Sequence, residues 1–216
     1  FGGIRSSKPQ PKMAFKESQK EPARKMFFKE TDQSHILAGF RGMDANQKDR
    51  YVLEVLAAIL GGSWSSRMWD KIREKLGLAY TVHTSSDIYT NRGHLTTYAG
   101  AAHQNVGRVI GAMMEEYKKI SEVPVSASEL KRTKDHIKGV TLIALESSNA
   151  VAGFVGGEEM LTGKPLTIDE VFAKIDAVTP AQIQALAKKL FRPERLNLAI
   201  IGPFKDEAKF KKLLKL

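Results

Sequence analysis

Two periods of apolar residues run through the first hundred positions of this chain. Ile36, Ala38 and Phe40 alternate with polar or small neighbours, which predicts a strand over 34–41 with one buried face. Residues 24–30 read as a strand before it, joined by a short polar turn at 31–33. After a loop at 42–47, Val52, Val55, Leu56 and Ile59 recur at helical spacing, and Gly61 and Gly62 stop that helix. Serines at 63, 65 and 66 offer caps for a second helix over 66–75, which Gly77 ends. Strands over 79–88 and 93–101 flank the turn residues 90–92 and read as a hairpin.

The second half is mostly helical. Val106, Val109, Ile110, Met113, Met114, Tyr117 and Ile120 form one apolar face, in which the two methionines are core residues. Ser126 with Glu129, Thr167 with Glu170 and Thr179 with Gln182 each fit a reciprocal capping box, and Pro180 stands where its missing N–H costs nothing. Gly153, Gly156, Gly157 and Gly163 interrupt the helical pattern and predict a looped segment. A strand over 196–201 ends at Gly202-Pro203, and a short basic helix carrying Phe210, Leu213 and Leu214 closes the chain. Paired hairpins with helices gathered between them predict an α+β domain, an antiparallel β-sheet with helices packed on one face. Residues 1–23, rich in Gly, Ser, Pro and Lys, read as a linker, 24–204 as the domain and 205–216 as the closing helix.

Composition narrows the function. At 216 residues and 42% hydrophobic content the chain can bury a core, and it holds no run of 18 apolar residues that would insert in a membrane. The absence of cysteine excludes disulfides and thiol chemistry. The chain starts at Phe1 with no leader in sight, which predicts a piece of something longer. The net charge of +10 is unevenly placed. Residues 1–33 hold eight Lys/Arg against four Asp/Glu, 185–216 hold nine against three, and the intervening stretch balances seventeen against seventeen. A nucleic-acid binder carries its basic excess as a stripe on the folded surface, so these basic ends read as solvated and no nucleic-acid partner is expected.

The segment from Leu60 to Tyr80, LGGSWSSRMWDKIREKLGLAY, holds the candidate chemistry. Arg73 lies in the last turn of the predicted helix and Tyr80 at the start of the following strand, on either side of the Gly77 corner. A guanidinium fork grips carbonyls or carboxylates, and a phenol can donate to a developing oxyanion. An Arg near a helix C-terminus and a Tyr in a strand are also ordinary structural choices, so this geometry alone decides little.

The wider pattern decides more. The segment resembles a motif of the C-terminal half of the pitrilysin, insulin-degrading-enzyme and mitochondrial-processing-peptidase family: a glycine pair, Ser-Ser-Arg, a helix, then Arg-Glu-Lys-x-Gly-Leu-Ala-Tyr. QSHILAGF from Gln33, DRYVLEVL from Asp49, GHLTTYAG from Gly93, TPAQIQALA from Thr179 and LNLAIIGP from Leu196 resemble further family segments in the same order, and Phe1-Gly-Gly-Ile resembles the end of the first half. The resemblance covers about 24–204 and implies two homologous halves facing each other across a chamber, with zinc held in the first half by an H-x-x-E-H helix. It implies that Arg73 binds the substrate and that Tyr80 binds substrate and stabilises the oxyanion catalytically. The partners it implies are a zinc-bearing homologous half, on the same chain or another, and a peptide substrate.

This chain itself departs from a complete peptidase. His35, His83, His94, His103 and His136 include no H-x-x-E-H, so no metal or other cofactor is expected here and zinc is expected in the partner half. His83 and His94, on neighbouring predicted strands, lack a third ligand and read as strand histidines. Glu158-Glu159 reads as solvated, because adjacent helical residues diverge. No G-x-S-x-G elbow occurs, and Gly157 through Pro165 misses the phosphate-loop spacing. The expected function is the substrate-binding, transition-state-assisting half of a zinc metalloendopeptidase, inactive alone. The alternative is a structural subunit of the same fold, as in the respiratory-complex core proteins of this family.

Overall fold

The protein was analysed as a computed structural model, which describes residues 3, 18–42 and 48–215. The expected linker falls mostly outside the described residues, as does most of the expected loop at 42–47. The sheet holds β1 (Ala23–Phe28), β2 (Ser34–Arg41), β3 (Thr81–Ile88), β4 (Gly93–Ala101) and β5 (Leu196–Gly202), in the spatial order β1-β5-β2-β4-β3. The helices are α1 (Arg50–Gly61), α2 (Val106–Glu122), α3 (Ala127–Ala144), α4 (Ser148–Thr162), α5 (Ile168–Asp176) and α6 (Pro180–Leu190). The α+β layering matches the reading of the sequence.

Strand alternation sets the two faces of the sheet. Ser34, Ile36, Ala38 and Phe40 of β2 and Leu95, Thr97, Ala99 and Ala101 of β4 are buried, and their neighbours in sequence lie on the opposite, open face. Val52, Leu53, Val55, Leu56, Ile59 and Leu60 of α1 and Val109, Ile110, Met113 and Tyr117 of α2 complete the core on the covered side. Phe40, Tyr117 and Phe191 form its aromatic centre, with ring centroids 4.8–4.9 Å apart. The buried Tyr117 hydroxyl donates to Thr97 Oγ1 at 2.6 Å, and Thr97 shares a 2.7 Å bond with Thr84. Burial pushes the Tyr117 phenol up, out of any physiological titration.

The sheet is mixed where the sequence predicted it antiparallel throughout. The β3–β4 hairpin forms in register from Thr81↔Gly100 to Ile88↔Gly93. β1 and β2, however, do not pair. β5 enters between them, parallel to β1 and antiparallel to β2. The link from 29 to 33 therefore spans two strand spacings, about 10 Å, which five residues cover easily. Apolar alternation marks a strand without saying who its neighbour is.

Three local expectations also change. The glycine-bearing segment forms α4 rather than a loop: Ser147 caps its start, accepting from the Ala150 N–H at 3.2 Å, and left-handed Gly163 (φ 66°) ends it. Glycine inside a helix costs about 1 kcal/mol, which weakens a helix without forbidding it. Thr167 and Thr179 make complete capping boxes with Glu170 and Gln182, whereas Ser126 makes only its half, because the Glu129 carboxylate is taken by Arg67. The closing segment is a 3-10 helix, Glu207–Leu213, with Phe210 and Leu214 buried.

Because Phe40 is fully buried against two other rings, Phe40→Ala is expected to destabilise the domain by about 3–5 kcal/mol in urea unfolding.

Candidate functional site

The candidate residues sit on the segment that leaves α1 and returns to the sheet. Gly61 lets that departure happen. A side chain there would run into the backbone nitrogen and Oγ1 of Thr84, so only glycine allows the end of α1 to press directly on β3. The chain then turns through 63–66, where the Ser66 N–H and hydroxyl both donate to the Ser63 carbonyl. Arg67 fixes the far side, its Nε and Nη2 each 2.8 Å from a different carboxylate oxygen of Glu129 in the first turn of α3. The Arg67 guanidinium holds the Glu129 carboxyl below its usual range.

The helix expected over 66–75 forms: the Asp70 N–H donates to the Ser66 carbonyl at 2.9 Å, and from Trp69 to Lys75 the helix is π-helical. Its bonds are wide: Leu76 N–H donates to the Lys71 carbonyl at 3.1 Å, and Leu78 N–H reaches the Ile72 carbonyl at 2.9 Å. Met68 and Ile72 are fully buried and pin the turn to the core. Gly77 closes it at φ +57°, a left-handed conformation costly to any residue with a Cβ. Leu78 returns to the core, and the Tyr80 N–H donates to the Gly100 carbonyl at 2.9 Å, hooking the chain onto β4.

Arg73 and Tyr80 stand at the two ends of that corner, each with its own neighbours. The Arg73 side chain is 43% exposed and its Cζ lies 4.2 Å from the Trp69 ring centroid, with Glu74 at the 4.0 Å limit of an ion pair. Tyr80 is 67% exposed and borders a cleft of about 430 Å³ with Thr31, Asp32, Gln33 and His35. That cleft wall is well tied. His103 Nε2 donates to the Thr31 carbonyl at 2.8 Å while its Nδ1 shares a 2.8 Å bond with the Ser34 hydroxyl, and His35 Nδ1 is 2.7 Å from the Tyr98 hydroxyl.

The chain's two tryptophans belong to this site and were not singled out in the sequence. Trp64 is 81% exposed and its ring lies 6.2 Å from that of Trp69, so Trp64, Trp69 and Arg73 form a row. Trp64 and Trp69 border a second cavity of about 660 Å³, lined also by Ser63, His83, His136 and Val140.

Other candidates separate or change character. His83 and His94 do not meet: His83 pairs with Tyr98, while His94 Nε2 contacts Asp87 Oδ2 at 3.0 Å. Among the described residues no group of three or more His, Asp or Glu could hold a metal ion. Glu158, expected in solvent, is buried, because both its oxygens take the Arg50 guanidinium, at 3.0 Å for Nη1–Oε2. Burial also raises Glu54 nearby.

Comparison with known proteins places the chain in a family. A family model described as the peptidase M16 inactive domain matches residues 1–137, a stretch that includes Arg73 and Tyr80, and the chain belongs to that family. An uncharacterized zinc protease of Bacillus subtilis, YmxG, is 35% identical over 175 residues, 81% of this chain and 42% of that protein. An uncharacterized zinc protease of Streptomyces coelicolor is 31% identical over 179 residues, 83% of this chain and 39% of that one. Among solved structures, a conserved protein from Enterococcus faecalis superposes with a TM-score of 0.72 at 26% identity, covering 85% of this chain and 43% of that one. A chain of complex III from Candida albicans shares the fold, with a TM-score of 0.76 at 19% identity over 90% of this chain and 49% of its own. The chain spans about two fifths of the length of the curated relatives it matches.

Two outcomes follow from the corner and its anchor. Gly77→Ala is expected to cost about 1–2 kcal/mol of unfolding free energy, because alanine must adopt the left-handed backbone. Folded Glu129 binds its proton less tightly than the unfolded chain does, so the Arg67 pair stabilises fully above the unfolded carboxylate range and drains away as acid protonates Glu129. Thermal melts at pH 7 and pH 3 are therefore expected to show a larger loss of stability in the wild type than in Glu129→Gln.

Proposed function

We propose that this chain is the non-zinc half of a zinc metalloendopeptidase, which grips the substrate and assists the transition state while a homologous partner half holds the metal. The observation that carries the reading is the exposure of Arg73 and Tyr80 at the two ends of a rigid glycine corner, inside the segment that the inactive-domain family matches. The relatives' description as zinc proteases, and the more than half of their length that lies outside the matched part, support a second half on the same polypeptide or another.

The chemistry follows from the two side chains. Arg73 offers a cation and several N–H donors to a substrate carbonyl or carboxylate, and its stacking on Trp69 limits the side-chain freedom it loses on binding. Tyr80 offers a hydroxyl donor to the oxyanion that forms as water adds to the peptide carbonyl, a bond that strengthens as charge develops. Its backbone bond to Gly100 and the braced turn at 31–33 keep it from drifting. The described residues offer no ligand set for zinc, so activation of water is assigned to the partner half.

A second reading, an assembly subunit of the same fold, draws support from the likeness in fold to a complex III chain. Kinetics of the assembled protein separate the two. On the peptidase reading, Tyr80→Phe is expected to lower kcat by about 10- to 1000-fold with little change in KM. Arg73→Ala is expected to raise KM by about 10-fold or more. The chain by itself is expected to hydrolyse no peptide. Unchanged turnover in Tyr80→Phe would transfer the weight to the assembly reading.

A further inference from the structure

We propose that the β1 edge of the sheet, with the closing helix beside it, is a docking surface for an anionic lipid bilayer. The inference does not depend on the peptidase reading and holds for either role of the site.

The fold gathers what the sequence keeps apart. Residues 20–30 hold four Lys/Arg against two Asp/Glu, and residues 205–215 hold five against two. β1 ends the sheet on its side, paired with β5 alone, and the closing helix at Glu207–Leu213 packs beside it. Two contacts fix the juncture. The Lys29 N–H donates to the Gly202 carbonyl at 3.0 Å, and Lys205 Nζ lies 5.4 Å from the Phe28 ring centroid. Phe210 and Leu214 sink into the core, which leaves Lys209, Lys211 and Lys212 exposed, as Lys25, Lys29 and Lys205 are. None of these six lysines is in an ion pair among the described residues, whereas Lys71 and Lys75 of the π-helical turn and Lys131 and Lys138 of α3 each have a carboxylate.

Two large apolar side chains stand among these charges. Phe27 is 55% and Phe28 52% exposed. Successive strand residues point to opposite faces, so the two rings straddle the free edge of β1. Phe27 is in register with Ile201, itself exposed, which extends the apolar surface on its face. Lysines on an edge strand discourage pairing with other chains, but that role asks nothing of two phenylalanines or of a second basic segment.

The chemistry of the patch favours lipid over nucleic acid. At a bilayer surface aromatic rings enter the headgroup region while ammonium groups meet anionic headgroups at its level. Eight of the nine cations are lysines, point charges that suit a diffuse negative surface, whereas phosphate and base recognition favours the planar arginine fork. Bases of a single strand stack on ring faces along one groove. Here the two rings diverge, and Lys205 already lies over one of them.

The test is flotation of the full chain with phosphatidylcholine vesicles, with and without phosphatidylglycerol. The wild type is expected to float only with phosphatidylglycerol and to be released as salt rises. Lys25→Glu on β1 and Lys211→Glu on the closing helix are each expected to lower the partition coefficient by about 10-fold, with the melting temperature unchanged. The pair Phe27→Ser and Phe28→Ser is expected to lower it by about as much. Lys131→Glu, the same charge change on α3, is expected to leave flotation unchanged. A wild type that stays in the soluble fraction, or that floats equally with both vesicles, overturns the proposal. So do lysine variants that float like the wild type, or a loss in Lys131→Glu equal to theirs. Retention on single-stranded DNA without vesicle binding overturns it in favour of a nucleic-acid surface. If the serine pair lowers the melting temperature, the two lysine reversals decide.

Discussion

Direct contact between the end of α1 and β3 governs the geometry of everything that follows it in the chain. Gly61 lies against Thr84 with no room for another atom, and Thr84 is itself bonded through Thr97 to the buried Tyr117 hydroxyl. A helix, two strands and a second helix are thus locked at one point by shape and by satisfied hydroxyls, the arrangement in which buried polar groups specify rather than weaken a core. From that fixed point the segment 62–80 has few ways to run. Arg67 ties its middle to α3, Met68 and Ile72 sink into the core, and Gly77 reverses it into β3.

Which parts of this were legible in advance follows from the range of the interactions involved. Periodicity announced β2, α1 and α2, since each buries one face and its residues say so in order. The caps at Thr167 and Thr179 are local chemistry and appear where the sequence wrote them. Misreadings arose wherever a distant group intervened. β5 inserts between β1 and β2 across some 170 residues, and Arg67 draws Glu129 away from its cap. Arg50 likewise turns Glu158 from a solvated carboxylate into a buried one. α4 was hidden for another reason, because its glycines look like breaks and its apolar residues follow no single face.

The same division applies to the candidate site. Arg73 and Tyr80 were identifiable from their place in a recurring motif, and the structure adds what surrounds them. A π-helical turn is not visible in composition, so the stacking of Trp69 under Arg73 and of Trp64 beside Trp69 came only with coordinates. The effect is geometric: a guanidinium resting on an indole is held to fewer orientations than a free side chain. The basic excess of the chain ends lies away from these residues in sequence.

The placement of β5 bears on how such a domain is born. A ribosome delivers the chain from its amino end, and β1 leaves long before residues 196–202 exist. Until they arrive β1 has no partner and β2 has one free edge, so the nascent sheet holds an open slot one strand wide. Final closure is therefore a late, long-range event that trades a large loop entropy for two ladders at once. A polypeptide stalled or truncated before that point would expose two unsatisfied edges to its neighbours, which makes the last strand the guard against aggregation during synthesis.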